Sequence, residues 1–89
     1  MSKIKAFRPD DEYIDERGVQ SWPIWEKEIS DFPWSYDETE ECFILEGEAE
    51  IVTEEGKFQI KTGDFVTFER GLSCQWIIKN PIRKHYNFL

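Results

Sequence analysis

Residues 63–76 read GDFVTFERGLSCQW, and this stretch decides the fold because a glycine turn separates two short apolar strands. FVTF is rich in aromatic and β-branched residues, which favour strands, and CQWIIK continues as a second strand of the same kind. Gly71 lies in the turn ERGLS between them, and Gly63 marks another turn just before FVTF. Short strands that alternate with turns in this way predict an all-β domain.

The same alternation extends outward from this stretch in both directions. ECFILEG is apolar on both faces through Cys42–Leu45, KFQIK alternates cleanly after a hairpin turn at Gly56, and the Asn80–Pro81 pair is expected to break the next strand before IRKHYNFL. Any helix is limited to a turn in DDEYIDERG near the N-terminus. We predict a small antiparallel β-barrel, because closing the sheet removes exposed strand edges.

Length and composition set the domain organisation and exclude two classes of partner. The 89 residues predict one domain, with residues 1–19 as a segment that packs on a barrel of residues 20–89. The net charge of −8 argues against nucleic acid, and no apolar run is long enough to span a membrane. No signal peptide is evident, so we expect a cytoplasmic protein with two reduced thiols rather than a disulfide.

Two stretches resemble the motifs of the cupin superfamily. Glu40, six residues and Gly47 match the second half of the first cupin motif, G-x5-H-x-H-x3,4-E-x6-G. Gly63 and Gly71 keep the spacing of the second motif, G-x5-P-x-G-x2-H-x3-N. The segment GLSCQWIIKNPIRKHY further resembles small single-domain cupins related to the cupin part of (S)-ureidoglycine aminohydrolase. The resemblance implies a jelly-roll β-barrel.

The chain departs from the cupin pattern at the metal ligands. On this alignment the two first-motif histidines fall on Trp34 and Tyr36, and the second-motif histidine falls on Cys74. Only Glu40 remains of the four usual ligands, so we expect no cupin metal and no other cofactor. Zinc held by Glu40, Cys42 and Cys74 is the one alternative that the residue types leave open.

Strand alternation predicts which side chains share a pocket, because residues two apart point to the same side of a sheet. Lys84 and Tyr86 then lie on the opposite side from His85, which is expected at the surface or in an interface. The predicted catalytic residues are Glu40, Lys84 and Cys74. The predicted substrate-binding residues are Trp34, Tyr36, Cys42, Trp76 and Tyr86. Trp76 and Tyr86 could instead belong to the core, and Cys42 could be a small buried apolar residue.

Two functions fit this pocket. The first is a small-molecule-binding cupin that acts on an amide, ureido or carboxylate compound without a metal, with Glu40 as general acid/base and Lys84 as anchor. Cys74 would serve as a nucleophile only with a lowered thiol pKa. The alternative is a non-catalytic binding or sensing module or a structural dimer. We expect Glu40 and Lys84 to form a partly exposed ion pair, so that Glu40→Gln and Lys84→Met remove ligand binding but leave folding largely intact.

A homodimer is the expected assembly. Phe43 and Leu45 are apolar on the face of their strand opposite Cys42 and Ile44, so both faces of this strand need cover. A second copy of the chain is one source of that cover. The N-terminal segment of the same chain is the other.

Overall fold

The computed structural model describes residues 3–89, and its strands form one antiparallel sheet. The elements in chain order are β1 (Ile4–Phe7), α1 (Asp11–Arg17), a 3-10 turn (Val19–Ser21), β2 (Ile24–Lys27), β3 (Ser30–Ser35), β4 (Glu40–Thr53), β5 (Gly56–Lys61), β6 (Phe65–Phe68) and β7 (Ser73–Phe88). The sheet has seven strands, and every pairing within it is antiparallel. The predicted all-β antiparallel class is confirmed.

The long strands β4 and β7 pair along most of their length and form the centre of the sheet. β6 and β5 flank the two halves of β4, β2 and β3 flank the two halves of β7, and β1 pairs with β6. β2 and β6 belong to the part of the sheet that contains the second half of β7, whereas Trp76 lies in the first half of β7. The ring centre of Trp76 nevertheless lies 6.0 Å from that of Trp25 in β2 and 5.6 Å from that of Phe68 in β6. The two halves of the sheet therefore face each other across a shared core.

The predicted strand break at Asn80–Pro81 is wrong, because β7 continues through both residues. The pairing of β4 with β7 shifts register three times between Ile44 and Ala49, and Pro81 has no partner there, so its missing N–H removes no ladder bond. Gly47 lies in the same region with φ of +103°, and a Cβ at this position would overlap the carbonyl oxygen of Pro81. This irregular crossing lets both strands continue from one half of the sheet into the other.

The helix near the N-terminus forms where the sequence places it. The Asp10 side chain caps α1 by accepting a hydrogen bond from the backbone N–H of Tyr13 at 2.9 Å, and Gly18 ends it in the left-handed conformation. No helix found between residues 3 and 89 is long and apolar enough to cross a membrane. β1 and β3 are strands that the sequence does not predict, and β1 places part of the segment 1–19 within the sheet itself.

Helix α1 and the 3-10 turn cover the outer face of β4 and β7. Phe43 packs there against a small second core, and Arg17 pairs with Glu41. The buried members of that core are Ile14, Val19 and Phe65. The ring of His85 lies 2.8 Å from the carbonyl oxygen of Trp22 and is 9% exposed, so the expectation of a surface histidine is corrected. The chain itself supplies the cover that Phe43 needs.

Candidate functional site

A cavity of about 190 Å³ opens between the two halves of the sheet, on the side opposite α1. Its mouth carries Trp34 and Phe88, which are 51% and 48% exposed. The lining residues are Trp25, Phe32, Trp34, Tyr36, Glu40, Trp76, Lys84, Tyr86 and Phe88. The structure thus brings six of the predicted site residues to one cavity, where Glu40 and Lys84 are its charged groups.

Glu40 and Lys84 form a buried ion pair in the wall of this cavity. The Lys84 Nζ donates to Glu40 Oε2 at 2.7 Å, and each side chain is only 6% exposed. The expected partly exposed pair is therefore corrected, and with it the expectation that Lys84→Met leaves folding largely intact. The ammonium also lies 4.9 Å from the ring centres of both Trp25 and Trp76, a distance at which the aromatic faces stabilise a cation. The pair is held between rings rather than in solvent.

One oxygen of the pair keeps its capacity to accept a hydrogen bond. Among residues 3–89, no donor reaches Oε1 of Glu40, whereas Oε2 accepts from Lys84. Every fully buried side-chain nitrogen or oxygen in this part of the chain has a hydrogen-bond partner, so Oε1, which has none, is not fully buried. Because Glu40 lines the cavity, Oε1 is an acceptor that a bound molecule can reach.

The Tyr36 hydroxyl is a second polar group of the cavity. It accepts a hydrogen bond from the indole Nε1 of Trp76 at 3.2 Å, and the Tyr36 ring stacks on Phe68 at 4.8 Å. Burial, and then the nearby negative charge of Glu40, raise the pKa of Tyr36 far above its usual value. The phenol therefore stays protonated and can donate its own hydrogen to a ligand.

The two cysteines do not reach the cavity surface. Cys42, predicted to bind substrate, is fully buried in the main core, and Cys74, the predicted nucleophile, is 8% exposed. Neither is among the residues that line the cavity. Burial raises the pKa of Cys42 to about 12 and that of Cys74 to about 11, and the positive charge of Lys84 offsets this only in part. Both thiols stay protonated near neutral pH, so neither has the reactivity of a thiolate.

The family relationships of the chain follow from comparison with known proteins. The model of the EutQ-like cupin domain matches residues 14–86. The chain belongs to the EutQ-like cupin family. A DUF861 family protein from Thermotoga maritima has 50% sequence identity to it and superposes with a TM-score of 0.94, covering 97% of this chain and 99% of that one. No curated protein matches the chain.

More distant members of this fold are longer than the present cupin. The EutQ protein of Clostridium difficile has 18% identity and a TM-score of 0.67 over 73% of this chain, which spans only 52% of that protein. A DUF861 family protein of unknown function from Pseudomonas syringae pv. tomato has 24% identity and a TM-score of 0.67, over 74% of this chain and 29% of its own. These two likenesses support the jelly-roll cupin fold alone. These relationships are to EutQ-like and DUF861 cupins, and not specifically to the cupin part of ureidoglycine aminohydrolase that the sequence motifs resemble.

The side chains of this EutQ-like cupin do not fit the metal that cupin motifs usually hold. Between residues 3 and 89, no three His, Cys, Asp or Glu side chains lie close enough to share a metal ion. Trp34 has no lone pair for a metal, Tyr36 keeps its proton, and Glu40 is engaged by Lys84. A metal step is therefore not assigned to this cavity.

Three lining residues of the cupin cavity are missed by the sequence analysis. Trp25 and Phe32 come from β2 and β3, which both pair with β7, and Phe88 ends β7. Strand alternation already places Phe88 on the face of Lys84 and Tyr86, but it does not show that this face reaches the mouth of the cavity at Phe88. Trp25 and Phe32 depend on long-range register, for which the sequence carries no local signal.

Proposed function

We propose that this cupin domain binds a small molecule with a polar amide, ureido or carboxylate head and an apolar body. The observation that carries the proposal is the buried Glu40–Lys84 pair, whose ammonium and free carboxylate oxygen border a cavity walled by aromatic rings. Ligand sites characteristically combine apolar walls with a few placed polar groups. The sequence resemblance to the cupin part of ureidoglycine aminohydrolase supports the same head groups.

The size of the cavity favours a compact ligand. Its volume of about 190 Å³ lies below the ~300–1,000 Å³ of sites that take drug-sized molecules. Trp25, Phe32 and Trp76 contact one another with ring centres 6.0–6.4 Å apart and form a continuous aromatic wall. At the ~30 Å³ that one water takes in the liquid, this volume holds about six water-sized groups, so a flat ring suits the wall and a larger ligand extends into the mouth.

Binding is better supported than catalysis. The raised thiol pKa values argue against Cys74 as a nucleophile, and Glu40 is engaged with Lys84, which leaves its role as general acid/base a prediction. We propose that binding needs no metal, because Trp34, Tyr36 and Cys74 occupy the positions of the motif histidines. The two free cysteines suit the reducing cytoplasm, where we place the protein. A homodimer remains our expected assembly and now rests on the partly exposed Leu45, because the chain itself covers Phe43.

The tryptophans provide the test. Trp25, Trp34 and Trp76 line the cavity, whereas Trp22 packs in the second core beneath α1 and serves as an internal control. Titrating benzamide, phenylurea, benzoate and toluene into ¹⁵N-labelled protein should shift the three cavity indole signals and leave that of Trp22 in place. If all four compounds leave the cavity signals unmoved at millimolar concentration, the binding proposal is wrong and the structural-module alternative is favoured.

A further inference from the structure

The charges in the cavity wall narrow the class of ligand. Glu40 and Lys84 are the charged groups among its lining residues, and they neutralise each other at 2.7 Å. We infer that the cavity selects a neutral carboxamide or ureido head over a carboxylate, and that Glu40 is the residue that excludes the carboxylate. This inference rests on the proposed function. It separates the amide and ureido heads from the carboxylate head, which the proposed function does not distinguish.

A carboxylate loses more than it gains on entering this site. It must give up part of its hydration against the ring faces of Trp25, Trp76 and Tyr86. The attraction it gains from Lys84 is opposed by the carboxylate of Glu40, which lies against the same ammonium. The ammonium is in addition already stabilised by two indole faces. A neutral head avoids both the loss of ion hydration and the repulsion.

An amide or urea also matches the hydrogen-bonding groups that the cavity leaves available. Oε1 of Glu40 can accept from an N–H, while Lys84 Nζ and the protonated Tyr36 hydroxyl can donate to a carbonyl oxygen. A carboxylate has no N–H for Oε1. A head with both a donor and an acceptor is the chemical class that uses all three groups.

The role of Glu40 makes a sharp prediction for Glu40→Gln. Glutamine keeps a side-chain oxygen that can accept from Lys84 but removes the negative charge, so the cavity becomes cationic. The variant should then attract a carboxylate. Tyr36→Phe is the matched comparison, because it removes one donor to the carbonyl and leaves the charge of the cavity unchanged.

The experiment measures dissociation constants for benzamide, phenylurea, benzoate and toluene by the indole signals of the cavity tryptophans. In the wild type we expect benzamide and phenylurea to bind at least tenfold tighter than benzoate. In Glu40→Gln we expect benzoate to bind at least tenfold tighter than in the wild type and benzamide more weakly. In Tyr36→Phe both ligands should weaken by a similar factor, so that their ratio stays within threefold of the wild-type ratio.

The possible failures are distinguishable. Benzoate that binds the wild type as tightly as benzamide overturns the neutral-head inference but leaves the binding proposal standing. An unchanged benzamide-to-benzoate ratio in folded Glu40→Gln overturns the role of Glu40. The wild-type ratio needs no variant, so it decides the inference even if Glu40→Gln fails to fold. Failure of all the probes, toluene included, overturns the proposed function and this inference with it.

Discussion

Replacing Lys84 by methionine should destabilise the domain far more than the loss of an ordinary surface lysine. The substitution leaves the Glu40 carboxylate in the cavity wall with its side chain 6% exposed and without the donor that lies 2.7 Å away. Methionine fills much of the volume of the lysine stem, so packing against Trp25 and Trp76 is largely kept. The effect therefore reports mainly on the buried charge that has lost its partner.

The expected magnitude is about 3–5 kcal/mol of unfolding free energy, as found when one partner of a buried pair is removed. That is a large share of the ~5–15 kcal/mol by which a domain is stable. Urea unfolding followed by tryptophan fluorescence measures it. With a denaturant slope of ~2 kcal/mol per molar, the urea midpoint of Lys84→Met should fall by roughly 2 M.

Two control variants make the result interpretable. Lys79→Met lies on the same strand β7 and loses a 3.9 Å pair with Glu50 in which the lysine side chain is 48% exposed, so it should cost less than about 1 kcal/mol. Lys84→Met combined with Glu40→Gln removes both charges and should recover much of the lost stability. If Lys84→Met costs no more than Lys79→Met, or if the double variant is as unstable as Lys84→Met, the buried pair is not the source of the stability.

Three further predictions concern the backbone, the thiols and the assembly. Gly47→Ala should cost several kcal/mol in urea unfolding because its Cβ would overlap Pro81, whereas Gly56→Ala, with φ of +132° and open space, should cost only ~1–2 kcal/mol; equal costs would contradict the close approach. Burial raises the pKa of Cys42 to about 12 and that of Cys74 to about 11. In the folded state both thiols therefore keep their protons at pH values above about 8.5, where the unfolded chain releases them. The unfolding free energy is therefore unaffected by the thiols below that pH and declines as the pH rises toward 11–12. Under reducing conditions, the urea midpoint should fall less over this pH range in Cys42→Ala than in the wild type. An equal fall in both proteins would count against the raised pKa of Cys42. Light scattering at micromolar concentration should give twice the 10.7 kDa chain mass for the expected homodimer, and a monomer mass would exclude it.

The part of the site that the sequence predicts follows from strand alternation. Glu40 lies on one strand and Lys84 and Tyr86 on another, and the period of two residues places each side chain on a definite face once the strands are assigned. The spacing of the first cupin motif predicts that Trp34 and Tyr36 also point into the pocket. These residues do meet at one cavity, because face is a local property that sequence carries directly.

Depth and register are what the sequence does not carry. Cys42 follows Glu40 on the same face, yet it lies fully buried within the core, because alternation gives the side of a strand and not the distance from the cavity. Burial of the Glu40–Lys84 pair likewise depends on Trp25, which β2 brings opposite Lys84 across a pairing distant in sequence. The strand break predicted at Pro81 is wrong because Pro81 lies where β4 and β7 are not paired, and a proline is tolerated there although a regular ladder would exclude it.

The central claim is that the aromatic cavity beside the Glu40–Lys84 pair is a binding site for a small polar molecule. A high-resolution crystal structure of the protein soaked with phenylurea tests it most directly. The ureido carbonyl should lie within hydrogen-bond distance of Lys84 Nζ, an N–H should face Glu40 Oε1, and the phenyl ring should lie against Trp25 or Trp76. A cavity filled by its own side chains, or phenylurea bound elsewhere while the pair faces only water, would contradict the account.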